Sequence, residues 1–166
     1  MSSTLLFKAS PPDGFVANPF VPWLDTSVEF TIWPQSDPTQ LSEGLAEPTL
    51  RQLDLAARVM EWPNEMRNVI DNAAEDYRAE MDNAEELDHI NRSNIRKHYE
   101  IYGIAIPSFE KIEEGVDYIW FMAGCDWEEE HGMECIFRNQ EVIYCRGNDC
   151  LYQQPHFREW DHLNWG

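Results

Sequence analysis

Residues 116–145 read VDYIWFMAGCDWEEEHGMECIFRNQEVIYC and contain the strongest strand signals of the chain. Residues 116–123 are nearly all apolar or aromatic, which is typical of a central strand that is covered on both faces. Residues 133–138 and 141–145 flank Asn139 and Gln140, a spacing that predicts a hairpin with a tight turn. This part of the chain therefore predicts a central strand followed by a hairpin.

The middle of the chain shows helical periodicity instead. Leu50, Leu53, Ala57 and Met60 recur at three and four residues, which predicts a helix of about three turns beginning near Pro48. After Trp62 and Pro63 a second apolar stripe predicts a longer helix with acidic residues on its other face. Its members are Met66, Val69, Ile70, Ala73, Ala74, Tyr77 and Met81.

A third, weaker helix is predicted from Asn91 to Tyr102, capped by Asn91 or Ser93 and ended by Gly103. The first 48 residues are rich in proline, so their regular structure must be short. Residues 28–33 alternate apolar with polar side chains, as a half-buried strand does, and residues 4–8 are a second strand candidate.

Strands, then helices, then strands predict an α+β domain, with two to three helices packed on an antiparallel or mixed sheet. At 166 residues the chain fits a single domain, 1–166, with a sizeable core. We divide it into a proline-rich start (1–47), a helical middle (48–102), a strand region (103–147) and an aromatic C-terminal segment (148–166) that is expected to fold back onto the domain.

The chain is strongly acidic, with thirty-one Asp and Glu against twelve Lys and Arg and a net charge of −19. This excess goes beyond what solubility requires of a small domain. It accelerates encounter with cationic partners and repels nucleic acid and anionic membrane surfaces. We therefore expect a basic protein partner, with no direct contact with nucleic acid or membrane. A solvated face that serves only solubility is the alternative interpretation.

The acidic residues are concentrated in two stretches. Residues 61–90 hold ten acidic residues against two arginines, and residues 110–134 hold nine against one lysine, so each stretch has a net charge of −8. The residues expected to contact the partner are Asp126, Trp127, Glu128, Glu129, Glu130 and His131 in the second stretch, and Glu75, Asp76, Glu80 and Asp82 in the first.

The acidic run that ends at His131 and Gly132 is open to several interpretations. Clustered carboxylates need a cation, which is either a metal ion or the Lys and Arg side chains of a partner. A calcium loop is turned by a glycine among its ligands, whereas the glycine of this run comes late. Glu130 and His131 as an acid–base pair are disfavoured, because adjacent residues of an extended chain point to opposite faces.

The cysteines do not favour catalysis or metal binding either. Cys125 and Cys135 have acidic neighbours, which oppose formation of the nucleophilic thiolate. The separations of 10, 10 and 5 residues between the four cysteines match no common zinc pattern, and we expect reduced thiols. In a purely structural interpretation, Trp127 packs on the sheet, His131 bonds to the main chain and Gly132 adopts a positive φ. That interpretation is compatible with partner binding through outward-facing glutamates.

The run Cys125-x-Trp127-(Asp/Glu)-Glu129-Glu130-His131-Gly132 follows an aromatic-rich strand and a helical middle with a tyrosine. In these features the chain resembles a family of small acidic bacterial proteins of unknown function. The resemblance covers roughly residues 50–147 and leaves out the proline-rich start and the segment after Gly147. Members of that family are similar to proteins encoded near polymorphic or contact-delivered toxins, which implies an immunity role and no enzymatic activity.

We therefore expect a cytoplasmic immunity protein that neutralises a basic toxin domain and uses no catalytic residue, metal or cofactor. The start of the chain shows no basic region before an apolar run, and no apolar stretch is long enough to span a membrane. One alternative is a divalent-metal-binding module or metal-dependent enzyme. Another is an oligomeric scaffold domain, such as a homodimer formed through the aromatic C-terminal segment.

Overall fold

The computed structural model describes residues 5–10, 14–33, 47–108 and 114–147. Within these ranges, two α-helices accompany a seven-stranded mixed sheet and a separate two-stranded sheet, which confirms the α+β prediction. The elements in chain order are β1 (Lys8–Ser10), β2 (Gly14–Ala17), β3 (Phe20–Val21), β4 (Thr26–Ser27), β5 (Glu29–Ile32), α1 (Leu50–Met60), α2 (Glu65–Ala79), β6 (Tyr99–Ile106), β7 (Tyr118–Cys125), β8 (Glu128–Arg138) and β9 (Glu141–Arg146). The aromatic segment expected to fold back, residues 148–166, lies outside the described residues.

The large sheet has the strand order β1-β2-β5-β6-β7-β8-β9. Its one parallel pair among the described strands is β5 with β6, and the other neighbours are antiparallel. Parallel neighbours need a long crossover between them, and the segment between β5 and β6 contains both helices. The helical middle of the chain is therefore the connection that allows the two strand regions to form one sheet.

The predicted central strand is confirmed as β7, which lies between β6 and β8. Phe121 faces the main core together with helix residues, whereas its neighbour Trp120 packs on the opposite face of the sheet. Both side chains are buried, as expected for a strand that is covered on both sides. The strand runs over Tyr118–Cys125, two residues later than predicted.

The predicted hairpin is confirmed as β8 and β9, with Asn139 and Gln140 as its turn. Asn139 has φ 57°, a left-handed conformation that Asn tolerates better than most residues. Its side-chain oxygen accepts the main-chain N–H of Asp117 at 3.0 Å, and its own N–H donates to the main-chain oxygen of Asp117 at 2.7 Å. The turn is therefore held by the start of β7 and does not require glycine.

The predicted helix from Asn91 to Tyr102 is wrong. That segment holds a single 3₁₀ turn, Ile95–Lys97, followed by β6 in the middle of the sheet. In β6 the buried Tyr99 and Ile101 alternate with exposed neighbours, a period of two that overrides the weak helical pattern. The expected capping residue Asn91 instead organises a local turn, in which its side chain accepts a hydrogen bond from the Ser93 hydroxyl at 2.6 Å.

Helix α1 is confirmed, but the predicted apolar stripe is not its buried face. Leu50 is 86% exposed and Leu53 37% exposed, whereas Gln52 is completely buried. The Gln52 side-chain amide donates to the main-chain oxygens of Trp33 and Pro107, each at 2.8 Å. Because these carbonyls follow the neighbouring strands β5 and β6, a polar residue in the first turn of α1 joins the helix to both strands.

The other predicted elements are close to their expected positions. Helix α2 is confirmed and buries Met66, Ile70, Ala74 and Tyr77. The alternating strand predicted at residues 28–33 is β5. The strand predicted at residues 4–8 is displaced, because β1 runs over Lys8–Ser10.

Gln52 and Leu53 are adjacent in α1 but differ in burial. We predict that replacing the polar residue with an apolar one, or the apolar residue with a polar one, changes stability by unequal amounts. Gln52→Leu should lower the free energy of unfolding by about 2–3 kcal/mol, since two buried carbonyls lose their donor. Leu53→Gln should change it by less than about 1 kcal/mol, because that side chain is partly in water. Urea unfolding measures both values, and a larger loss for Leu53→Gln would contradict the observed orientation of α1.

Candidate protein-binding surface

The acidic run expected in a loop lies in a strand hairpin. Cys125, the last residue of β7, pairs with Glu128, the first residue of β8, and Ala123 pairs with Met133. Between these two pairs β8 has four residues, 129–132, where β7 has one, Gly124. The extra residues bulge out of the ladder, which is why the charged side chains among them are exposed.

The bulge requires glycine at position 132, where φ is +69°. A Cβ atom there would lie 2.4 Å from the main-chain oxygen of Ala123, so the expected positive φ is confirmed and the position also has no room for a side chain. Gly124 on the facing strand has open space at the same level.

This pair of glycines gives a matched test of the bulge. Gly132→Ala should lower the free energy of unfolding by at least about 2 kcal/mol, through backbone strain and the main-chain clash. Gly124→Ala should change it by about 0.5 kcal/mol or less. The comparison is made by urea unfolding, and equal effects of the two substitutions would show that the bulge is not constrained as described.

Trp127 anchors the hairpin in the core. It is only 4% exposed, and its ring meets those of Tyr77 in α2 and Tyr99 in β6 edge-on, with centroids 6.3 and 6.4 Å away. Such pairs stabilise beyond the area they bury. Trp127 was expected to contact the partner, and its burial corrects that assignment: the side chain holds the acidic hairpin in place from below.

The charged residues around Trp127 lie outside the core. Asp126, Glu129 and Glu130 are exposed, whereas Glu128 is half-buried. The Asp126 carboxylate lies 2.9 Å from Nδ1 of His98, a partner from before β6 that sequence spacing did not indicate. The exposed His131 lies with its Nδ1 3.3 Å from the Glu128 carboxylate.

The acidic residues of α2 divide between two sides of the helix. Glu80 follows the last turn and pairs with Arg146 at the end of β9, at 2.6 Å. Asp76 lies one helical turn before Glu80, and Asp82 lies two residues after it. Both are exposed. Glu75 is half-buried and pairs with Arg78 at 3.7 Å, so it belongs to the other flank of the helix.

The two acidic stretches meet at Tyr77. This residue contacts Trp127 of the hairpin, and its hydroxyl oxygen would lie 2.9 Å from a Cβ atom added to Gly147, just after β9. The end of α2, the end of β9 and the β7–β8 hairpin are therefore packed together. We call the exposed carboxylates of this region the acidic surface, and they are Asp76, Glu80, Asp82, Asp126, Glu129 and Glu130.

The model of DUF6985, a domain of unknown function, matches residues 7–152. This chain belongs to the DUF6985 family. The match begins in the proline-rich start, which the expected resemblance left out, so β1 to β5 are part of the DUF6985 domain. No curated protein and no solved structure matches the chain.

The domain also contains a charge network around the buried Asp71 that was not predicted from the sequence. Asp71, in the first acidic stretch, is buried and accepts a hydrogen bond of 2.7 Å from the Tyr99 hydroxyl. It also pairs with Arg96, whose Nε donates at 3.0 Å, while the Arg67 guanidinium lies 5.0 Å from the centre of the Tyr99 ring. Arg67, four residues earlier, also lies 4.0 Å from the Asp71 carboxylate, but Tyr99 and Arg96 are distant in sequence, so the local pattern alone does not distinguish Asp71 from its solvated acidic neighbours.

The thiols near the acidic surface are buried and not in disulfides. Burial raises the pKa of Cys125 to about 12, against hydrogen bonds from the main chain that lower it. Burial and the neighbouring Cys145 thiol raise the pKa of Cys135 well above its usual value, and burial also raises the pKa of Tyr77. These groups stay neutral at pH 7, so Cys125 and Cys135 provide no thiolate nucleophile.

Across residues 5–10, 14–33, 47–108 and 114–147, no three His, Cys, Asp or Glu side chains are grouped so that they could hold a metal ion. Within the same ranges, no helix is long and apolar enough to cross a membrane.

The raised pKa of Cys125 predicts how stability depends on pH. The folded thiol holds its proton up to about pH 12, whereas the thiol of the unfolded chain titrates near 9.0. The free energy of unfolding should therefore fall as pH rises above 9, by about 1.4 kcal/mol per pH unit for a single such group. Cys125→Ala should make this decline shallower in urea unfolding between pH 8 and 11, and equal slopes in the two proteins would contradict the assignment.

Proposed function

We propose that this DUF6985 protein is an immunity-type inhibitor, which binds the basic surface of a toxin domain through the acidic surface. It acts in the cytoplasm, by binding alone. The observation that carries the proposal is the packing of Tyr77 against Trp127, because it brings two acidic stretches that are distant in sequence into one region. A protein whose acidity served only solubility would not require its two most acidic stretches to meet.

The charge of this region supports a cationic partner. The acidic surface lies within a chain of net charge −19, so its field adds to that of the rest of the molecule. Opposite charges accelerate association and help to orient the two proteins during encounter. The basic site of a toxin that acts on nucleic acid has the complementary charge, and covering it would block access of the substrate.

The rigidity of the hairpin also supports binding. Its acidic residues are carried by a bulged strand that is anchored by Trp127 and constrained at Gly132. A strand that is already held in position loses little conformational freedom when a partner binds to the residues it carries. The toxin part of the proposal is supported by the resemblance of the Cys125–Gly132 signature to proteins encoded near toxins.

The test compares two double variants of equal charge. Glu129→Lys/Glu130→Lys alters the acidic surface, whereas Glu47→Lys/Glu61→Lys alters two exposed residues that flank helix α1 and are not part of the acidic surface. Each protein serves as bait in a lysate of its native organism, and captured proteins are identified by mass spectrometry. Association with the captured partner is then measured as a function of salt.

We expect the wild type and the Glu47/Glu61 variant to capture the same basic protein, and the Glu129/Glu130 variant to associate about tenfold or more slowly, with a weaker salt dependence. Expression of the captured protein alone should stop growth, and coexpression of the wild type should restore it. Equal association of the two variants would refute the role of the acidic surface. A captured partner that does not harm growth would refute the immunity role.

A further inference from the structure

Strand β9 forms one edge of the large sheet. No strand among the described residues lies on its outer side. The main-chain N–H and C=O groups of an edge strand can pair with a further strand unless the protein prevents it. The opposite edge, β1, is only three residues long and begins with Lys8, two features that discourage such pairing. β9 has six residues and contains neither lysine nor proline.

The side chains of β9 are favourable for a pairing strand. Val142 packs against the main core, and Ile143 and Tyr144 pack on the other face of the sheet. These are β-branched and aromatic residues, which are typical of stable strands. A bulge at Ile143 is the one irregularity in the pairing of β9 with β8. The strand is thus supported from both faces.

Carboxylates border this edge. Helix α2 extends beside β9, because Glu80 pairs with Arg146 and Tyr77 reaches Gly147. Asp76 lies one helical turn before Glu80 and therefore on the same side of α2, where it is exposed. Glu141 is exposed at the beginning of the strand. A strand added to β9 would lie among these acidic groups.

The charge of this border disfavours a second copy of the chain at the edge. Two paired strands lie about 4.8 Å apart, whereas packed helices need about 8–10 Å between their axes. α2 packs over β9, so in a second copy paired edge to edge the counterpart helix would lie beside it on the same face of the joined sheet. The two acidic borders would then repel each other. A single extended segment with basic side chains avoids this conflict and complements the charge of the border.

We propose that β9 binds a basic, extended segment of the partner protein by strand addition. This inference rests on the proposed function, since the segment belongs to the same cationic partner. Main-chain hydrogen bonds to β9 would contribute affinity, and Lys or Arg side chains facing Asp76 and Glu141 would select basic sequences. The acidic surface and the β9 edge would then form one continuous contact region.

The probe is a nine-residue peptide of alternating lysine and valine with blocked ends. Its control has the same sequence with every second main-chain amide N-methylated, which preserves the charge and removes pairing donors. Binding to the full chain is followed by NMR at low salt. We expect the unmodified peptide to shift the amide signals of β9 and to bind roughly tenfold more tightly than the methylated one. Asp76→Lys should weaken its binding, whereas Glu61→Lys, at the end of α1, should not.

Equal affinity of the two peptides would overturn the proposal, because binding would then depend on charge alone. Shifts confined to α2 or to the β7–β8 hairpin, or no binding of the unmodified peptide at millimolar concentration, would overturn it as well. None of these results depends on the lysate partner. If the peptide result overturns strand addition, the acidic surface can still bind the partner, and the proposed function stands. The proposed function is tested separately by the association rate of the Glu129/Glu130 variant.

Discussion

The packing of Trp127 between Tyr77 and Tyr99 is the contact on which the arrangement of the charged region depends. Three aromatic rings from a hairpin, a helix and a central strand meet there, and each ring buries apolar area that strongly favours the folded state. This contact joins the most acidic helix directly to the most acidic hairpin. Their mutual repulsion is tolerated because the apolar contact beneath them outweighs the weak, screened interactions between exposed charges.

The same region separates charges that serve the fold from charges that face the solvent. Asp71 lies inside with arginine and tyrosine partners, whereas Asp76 lies outside, although both belong to one helix and one acidic stretch. A buried carboxylate is tolerated only with such partners, and removing one partner is costly. Counting acidic residues along the sequence therefore overstates the charge that is available to bind another protein.

The fold class, α2, the central strand β7 and the hairpin at Asn139 could be predicted because each depends on local periodicity or turn chemistry. Other features depend on contacts between distant residues. Gln52 lies on the inner face of α1 beside Leu55, because two carbonyls that follow β5 and β6 accept its amide, and β6 is a strand because β5 and β7 pair with it. The two acidic stretches could be identified from sequence, but their meeting at Tyr77 could not.

The parallel pairing of β5 with β6 has a consequence for how the chain is made. It aligns Glu29 with Gly103, residues 74 positions apart, in the middle of the sheet. Pairing over such a separation carries a large loop-closure cost and slows folding. During synthesis β5 emerges from the ribosome long before β6, so its central edge is exposed to other nascent chains until both helices and β6 have followed. Correct assembly of this protein therefore depends on protecting a strand edge that the finished fold conceals.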